Sequence, residues 1–201
     1  MLDPLQLLSA YCEGAFPMGH EDGSISWFRP PYRGILPVAE FHVPKRFAQY
    51  LRHQPFEVRW NTAFGDVMRG CADREDTWIN DVILDSYQAL HELGFAHSAE
   101  VWRAGRLVGG VYGVAIGGAF FGESMFSRET QASKVALTHL QWRLRERGFI
   151  LHDTQWTTPH LAMFGGHEIP CHQYLDLLDR AIRLPVVFDE KRQPGAEVMF
   201  R

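Results

Sequence analysis

Three polar side chains in apolar surroundings are the residues of this chain best suited to chemistry. Glu123 lies in the run GGAFFGESMFSRETQASK, and Asp153 and Gln155 lie in the segment LHDTQWTT. Because successive side chains on a strand alternate between faces, Asp153 and Gln155 should point the same way, roughly 7 Å apart. A buried carboxylate is costly unless it is hydrogen-bonded or paired, so such a cluster is more typical of a working site than of accidental packing.

The elements that position these residues follow from hydrophobic periodicity and turn residues. Three strands with short turns predict an antiparallel meander that ends in the segment of Glu123, and a long amphipathic helix then leads to the strand of Asp153. The predicted strands are Phe56–Trp60, Ser98–Arg103, Arg106–Ala115, Ala119–Met125 and Phe149–Thr154, and the predicted helices are Asn61–Cys71 with Asn61 as its cap, Asp81–Leu93, Thr130–Arg147, Pro159–Phe164 and Tyr174–Ile182. This order predicts a mixed α/β (α+β) fold.

Length and composition are typical of a compact soluble enzyme. The chain has 201 residues, of which 46% are hydrophobic and 22% charged, enough for a substantial core. The high content of Pro, Gly and aromatic residues in residues 1–37 predicts a small N-terminal domain there. Residues 38–201 are then expected to form the main domain. The sequence has no apolar run long enough to span a bilayer and no signal-peptide pattern at its start, so we expect a cytoplasmic protein without a membrane partner.

Metal binding is not expected from the cysteines or histidines. Cys12, Cys71 and Cys171 are far apart and form no C-x-x-C pair, which indicates reduced thiols rather than disulfides or a thiolate site. The run from His167 to His172, HEIPCH, resembles a zinc-binding H-E-x-x-H helix. However, its second histidine is one position late, and Pro170 would disrupt the helix. Entry of the chain into a helix is the simpler interpretation.

A basic helix is the best candidate for contact with a polyanion, although the net charge is −4. In FHVPKRFAQYLRH, Pro44 suits the first turn, and Lys45, Gln49 and Arg52 then share one face. An ordinary solvated face is the commoner role of such charges, and this stretch alone favours it. A local basic patch can nevertheless bind phosphates whatever the total charge.

The motifs YCEGAFPM, TWIN, HS-x-E-V-W, LVGG-x-YGV, GESMFSR, DTQ and EIP occur in the order found in bacterial leucyl/phenylalanyl-tRNA–protein transferases, which the chain resembles from about Tyr11 to about Ile182. The resemblance implies a domain like the GCN5-related N-acetyltransferases. It also implies transfer of leucine or phenylalanine, and less efficiently methionine, from aminoacyl-tRNA to the α-amine of proteins that begin with Arg or Lys, which marks them for degradation by the N-end rule. It implies that Lys45, Arg46 and Arg52 contact tRNA, and the activated ester requires no cofactor.

The same resemblance suggests roles for the polar cluster. Gln155 would accept a hydrogen bond from the attacking amine, Asp153 would orient or polarise the Gln155 amide, and Glu123 would anchor a cationic group. The proton could be relayed by Gln155 or by a ribose hydroxyl of the tRNA, and the sequence leaves both open. A buried network that only stabilises the fold is the alternative.

The substrate-binding residues are also expectations. Val111, Phe120 and Leu151 would form the wall of a hydrophobic slot, and Trp78 would close one side. The other expected substrate-binding residues are Gly122, beside Glu123, and Thr158, at the end of the second motif segment. Met18 stands where relatives have a tryptophan that stacks on the terminal adenine of tRNA, and a thioether packs on a base less rigidly.

Two other classes of function remain open at this stage. A coenzyme A-dependent N-acetyltransferase would share the expected fold. However, the loop FSRETQASK before the long helix has no glycine, so its side chains should hinder close approach to a pyrophosphate. A non-catalytic RNA-binding module could use the same basic helix. Transfer of an amino acid from tRNA without coenzyme A would leave only the aminoacyltransferase, whereas tRNA binding without transfer would favour the RNA-binding module.

Overall fold

A seven-stranded mixed sheet forms the centre of the protein in a computed structural model that describes residues 1–191. Residues 192–201 of the predicted main domain lie outside the described residues. The strands are β1 (Phe16–Gly19), β2 (Ile25–Phe28), β3 (Tyr32–Ile35), β4 (Glu57–Trp60), β5 (Ala96–Arg103), β6 (Arg106–Ile116), β7 (Ala119–Ser127), β8 (Leu151–Gln155) and β9 (His167–Pro170). The helices are α1 (Pro4–Cys12), α2 (Lys45–Leu51), α3 (Phe64–Ala72), α4 (Asp81–Glu92), α5 (Ala132–Arg147), α6 (Pro159–Ala162) and α7 (Cys171–Ile182).

The strand order of the sheet is β4-β5-β6-β7-β8-β3-β9, and the predicted antiparallel meander β5–β7 is confirmed. Helix α5 then crosses over and returns the chain as β8, parallel to β7. The two strands pair from Ala119–Phe121 to Leu151–Asp153, and the rest of β7, out to Ser127, is not paired with β8. A cleft can open where they part, because neither strand covers the other there.

Strand β3 joins the N-terminal segment to this sheet. It pairs antiparallel with β8 on one side and with β9 on the other. Gly34 allows the close approach, because a Cβ there would lie 2.4 Å from the carbonyl carbon of Trp156. One strand of residues 1–37 therefore belongs to the main sheet, while the division of the chain at residue 37 stays a prediction.

Helices cover both faces of the sheet. One core cluster contains side chains of α1, α3, α4 and α7, including Tyr11, Tyr87 and Tyr174. The other contains side chains of α2, α5 and α6, including Phe47 and Leu137. The central sheet is thus buried on both sides, and no helix in the described residues combines the length and apolarity that crossing a membrane requires.

One local prediction was wrong. Asn61 does not cap α3: it has φ 58°, and its side-chain oxygen accepts from the Ser98 N–H. The start of α3 is fixed by the buried Glu100, whose carboxylate accepts from the N–H groups of Thr62 and Ala63. The residues HEIP form the edge strand β9, and the chain then enters α7 at Cys171, before the predicted start at Tyr174.

Candidate active site

A cavity of about 470 Å³ lies where β7 and β8 part. Its walls come from the second half of β7, the end of β8, strand β1, the loop before α4, and the first turns of α5 and α6. The lining residues are Phe16, Pro17, Met18, Arg74, Trp78, Val111, Gly122, Glu123, Ser124, Met125, Phe126, Ser127, Ser133, Leu137, His152, Thr154, Gln155, Trp156, Thr158, His160 and Leu161.

Glu123 projects into this region from a β-bulge. Gly113 of β6 pairs with Gly122, but the preceding residue Tyr112 pairs with Ser124, so Glu123 is the extra residue on β7. Bulges change the direction of a side chain locally and are over-represented beside active sites. At this bulge the Glu123 carboxylate lies against Tyr11 and Tyr87.

Three donors hold the Glu123 carboxylate. The Tyr11 hydroxyl donates to Oε1 at 2.7 Å, the Tyr87 hydroxyl to Oε2 at 3.1 Å, and Nε2 of Gln155 to Oε1 at 3.2 Å. The two tyrosine hydroxyls also contact each other, so their two protons are shared among these three oxygen–oxygen contacts. Burial together with the nearby carboxylate raises the pKa of both tyrosines well above its ordinary value, so they stay protonated and can donate.

The pKa of the Glu123 carboxyl group lies close to neutral pH. Burial raises the pKa of its carboxyl group to about 7, although the hydrogen bonds from Tyr11 and Tyr87 favour the charged form. A carboxyl group of this kind can bind a cation when deprotonated and donate a hydrogen bond when protonated.

Asp153 makes a fully buried ion pair with Arg33. Nε of Arg33 donates to Oδ1 at 2.9 Å, and one terminal nitrogen of its guanidinium donates to Oδ2 at 2.7 Å. The other terminal nitrogen donates to the Gly14 carbonyl at 2.8 Å, and the rings of Phe16 and Tyr174 each lie 4.6 Å from the guanidinium carbon. The hydroxyl of Tyr174 completes the site by donating to Oδ2 at 2.7 Å.

Gln155 departs from the strand geometry that the sequence predicted. Its φ is 57°, in the left-handed region, and its N–H donates to Oδ1 of Asp153 at 2.8 Å. Asp153 therefore holds the backbone of Gln155, whereas the side-chain amide of Gln155 contacts Glu123. The expected contact of Asp153 with that amide is replaced by this backbone contact, because the left-handed turn redirects the side chain.

The predicted substrate-binding residues separate into two groups. Met18, Trp78, Val111, Gly122 and Thr158 line the cavity together with Glu123 and Gln155.

Phe120 and Leu151 lie in the core and not in the cavity wall, each being 1% exposed. Leu151 also belongs to the core cluster on the opposite face of the sheet from Val111. Strand alternation explains this, since Leu151 and the cavity-lining His152 are neighbours and so point to opposite faces.

The predicted tRNA-binding residues lie outside the cavity. Lys45, Arg46 and Arg52 are exposed on or just after α2, while Phe47 is buried. The Tyr50 hydroxyl donates to the Thr130 carbonyl at 3.5 Å. Helix α2 thus lies beside the start of α5, whose Ser133 lines the cavity.

Sequence reasoning missed Arg33, Tyr11, Tyr87 and Tyr174. A signal for Arg33 exists, because a cation between aromatic residues in PPYRG could have been proposed as the partner of the buried Asp153. The tyrosines carry no comparable signal, since a buried tyrosine is ordinarily a core residue. Within residues 1–191, no cluster of His, Cys, Asp and Glu side chains could hold a metal ion.

A paired carboxyl group and amide at the end of an apolar cavity can hold an amine beside an activated acyl group, which is the task of an acyltransferase. Comparison with known proteins specifies the class. Residues 35–179 match the family Leucyl/phenylalanyl-tRNA protein transferase, and residues 1–31 match the N-terminal domain of the same family. The chain belongs to this family and is an aminoacyl-tRNA–protein transferase.

Individual relatives agree over nearly the whole chain. The leucyl/phenylalanyl-tRNA–protein transferase of Ruegeria sp. strain TM1040 is 49% identical over 197 residues, which cover 97% of this chain and 94% of the relative. That of Phenylobacterium zucineum strain HLK1 is 52% identical, covering 92% and 87%. Among solved structures, L-PGS from Bacillus licheniformis is similar with a TM-score of 0.43 and 14% identity, covering 78% of this chain and 54% of that one. A likeness of that extent defines no fold.

Removing Arg33 should destabilise the protein strongly. Arg33→Ala leaves the buried Asp153 carboxylate without its cation, at a cost of about 3–5 kcal/mol in the free energy of unfolding. Arg29→Ala is the control, because Arg29 forms an exposed ion pair with Glu13 at 3.9 Å, and such pairs contribute about 0–1 kcal/mol. Urea unfolding measures both, and equal free energies for the two variants would contradict this account.

Replacing Glu123 should change how stability depends on pH. The folded carboxyl group keeps its proton up to about pH 7, whereas the unfolded one releases it near the ordinary pKa of 4.5. Rising pH across this window therefore lowers the stability of the wild type, because the folded state binds more protons there.

Glu123→Gln removes that contribution. The free energy of unfolding of the variant minus that of the wild type should rise from pH 4.5 to pH 7 and then level off. His97 and His152, whose pKa values burial lowers, act in the opposite direction, but they are present in both proteins and cancel in the difference. Urea unfolding at several pH values tests this, and a pH-independent difference would rule it out.

Proposed function

We propose that this transferase moves leucine or phenylalanine, and less efficiently methionine, from aminoacyl-tRNA to the α-amine of proteins that begin with Arg or Lys. The main support is one observation: the Glu123–Gln155 pair and an apolar cavity wall share one space. An amine and an apolar acyl group can thus be held side by side. The family name supports the tRNA donor, and we propose the cytoplasm as the site of the reaction.

The reaction needs orientation and a path for one proton. The amine nitrogen attacks the ester carbonyl carbon, a C–N bond forms, and the C–O bond to the ribose breaks. Nε2 of Gln155 is engaged by Glu123, whereas its carbonyl oxygen has no hydrogen-bond donor within residues 1–191. That oxygen is free to accept a hydrogen bond from the amine and orient its lone pair. The departing ribose oxygen takes the proton.

Glu123 is suited to bind the cationic group of the acceptor. Among the described residues that line the cavity it is the one acidic side chain. Above its pKa of about 7 it carries the negative charge that an ammonium or guanidinium group requires. Asp153 is a positioning residue in this proposal, because Arg33, Tyr174 and the Gln155 N–H already engage its carboxylate.

An acetyltransferase using coenzyme A is less well supported. In that class, free N–H groups at the start of the long helix bind the pyrophosphate. Here the Ala132 N–H donates to the Glu129 carbonyl at 3.1 Å, and the Ser133 N–H donates to Oγ of Ser127 at 3.1 Å. These groups are occupied, and the preceding loop lacks glycine.

We further propose kinship of the main sheet with the GCN5-related N-acetyltransferases. An antiparallel meander, a crossover helix and a parallel strand follow one another as in that fold, and the cavity opens between the parallel strands. Met18, which lines the same cavity, is proposed to pack its thioether against the terminal adenine.

Shortening Gln155 should reduce turnover. In Gln155→Asn the amide no longer reaches Glu123 and the amine, while asparagine tolerates the left-handed backbone. We expect kcat for transfer of leucine to an Arg-starting peptide to fall at least about tenfold, with little change in the KM for the donor. Gln131→Asn is the matched control, because Gln131 also has a positive φ, 71°, but does not line the cavity. Equal losses in both variants would remove the assigned role, and no transfer by the wild type would refute the proposed function.

Neutralising α2 should weaken tRNA binding in a salt-dependent way. Replacing both Lys45 and Arg52 with alanine removes two cations, so fewer counterions are released and the slope of log K against log salt flattens by up to about 2. Replacing both Arg180 and Arg183 with alanine removes the same charge at the other face of the sheet. Titration of labelled tRNA at several salt concentrations measures the slopes, and identical slopes would make α2 an ordinary solvated helix.

A further inference from the structure

His152 is a buried histidine in the apolar part of the cavity, and the proposed mechanism does not use it. It is 2% exposed, and it lines the cavity together with Val111, Leu137 and Leu161, which belong to one core cluster. Its ring lies edge-on to Phe120, with the ring centroids 5.4 Å apart. An imidazole among aliphatic side chains is unusual unless its polar atoms find partners.

Neither ring nitrogen of His152 has a partner within residues 1–191. Nδ1 is buried without a hydrogen bond. Nε2 lies next to Gly122, where a Cβ would come within 2.6 Å of it. Gly122 and His152 both line the cavity, and Nε2, unlike Nδ1, is not an enclosed atom, so Nε2 is the ring nitrogen that a ligand can reach.

The protonation state of His152 follows from its surroundings. Burial lowers its pKa to about 4, so the ring is neutral at neutral pH. A buried N–H without a partner is costly. The proton is therefore better placed on Nε2, which faces the open space, than on Nδ1, which is enclosed. His152 then presents a hydrogen-bond donor to whatever fills this part of the cavity.

We infer that His152 is a specificity-determining residue that allows the slot to accept a donor amino acid with a hydroxyl group at the end of an aromatic ring, namely tyrosine, besides apolar side chains. This inference rests on the proposed function, in which the apolar part of the cavity holds the donor side chain. The hydroxyl oxygen accepts from Nε2–H.

The test compares tyrosine with phenylalanine on minimal aminoacyl-adenosine donors, with an Arg-starting peptide as acceptor. The two differ by one hydroxyl, so the ratio of their kcat/KM values isolates the contact and cancels any general loss of activity. We expect the wild type to transfer tyrosine within about tenfold of phenylalanine, and His152→Leu to lower the ratio about tenfold, the effect of losing one hydrogen bond.

Two amide variants give a matched pair. The amide of His152→Gln reaches the position of Nε2 and should preserve the ratio, whereas the shorter amide of His152→Asn reaches that of Nδ1 and should lower it. Circular dichroism checks folding, and if His152→Leu fails to fold, the Gln and Asn variants decide.

The outcomes separate the two proposals. Transfer of phenylalanine but not tyrosine by the wild type overturns the role of His152. The same tyrosine-to-phenylalanine ratio of kcat/KM in the wild type and all variants overturns it as well. A parallel fall in kcat for every donor also overturns it, because His152 would then act on the reacting ester. Absence of all transfer by the wild type refutes the proposed function and this inference with it.

Discussion

The buried ion pair between Arg33 and Asp153 holds together the parts of the protein that form the cavity. Arg33 belongs to β3, Asp153 to β8, Tyr174 to α7, and Phe16 to β1. The desolvation of two charges is severe, and it is offset here by several hydrogen bonds and two aromatic faces. The ion pair therefore stabilises the fold only when all four elements are packed together. In that state Asp153 is held in one position and can fix the backbone of Gln155.

The two groups beside the cavity lie at local departures from regular strands. Glu123 is the additional residue of a bulge, and Gln155 has a left-handed backbone. Glu123 keeps the face that alternation from Phe121 gives it, because both residues contact Tyr11, and the bulge shifts the alternation of the residues that follow. Irregular backbone of this kind persists only when its surroundings determine it, as the Asp153–Gln155 backbone contact does.

Much of this architecture was accessible from the sequence, because it depends on local signals. The meander follows from strand periodicity and two tight turns, and α4 follows from the helical spacing of its apolar residues. The polar cluster itself could be recognised because carboxylates are rare in apolar runs.

The other features could not be predicted, because they depend on contacts between residues far apart in the sequence or on which face of the sheet holds the cavity. Periodicity establishes that Leu151 and His152 face opposite sides of the sheet, but not which side holds the cavity. It also cannot reveal that β3 lies between β8 and β9, since strand pairing at that distance leaves no local pattern. The bulge at Glu123 is invisible for a related reason: it is defined by the register of the partner strand.

The position of β3 in the sheet has a consequence for biosynthesis. Arg33 and Asp153 are 120 residues apart, so the ribosome makes β3 long before it makes the strands on either side. Until then the segment that becomes β3 lacks both partner strands, and Arg33 lacks the carboxylate of Asp153. Contacts of such high sequence separation form slowly and late. The meander can assemble first, whereas the cavity is completed only after α7 has emerged. Nascent chains that end before Tyr174 therefore lack a working site, and the interval before closure is when this protein is most exposed to chaperones and proteases.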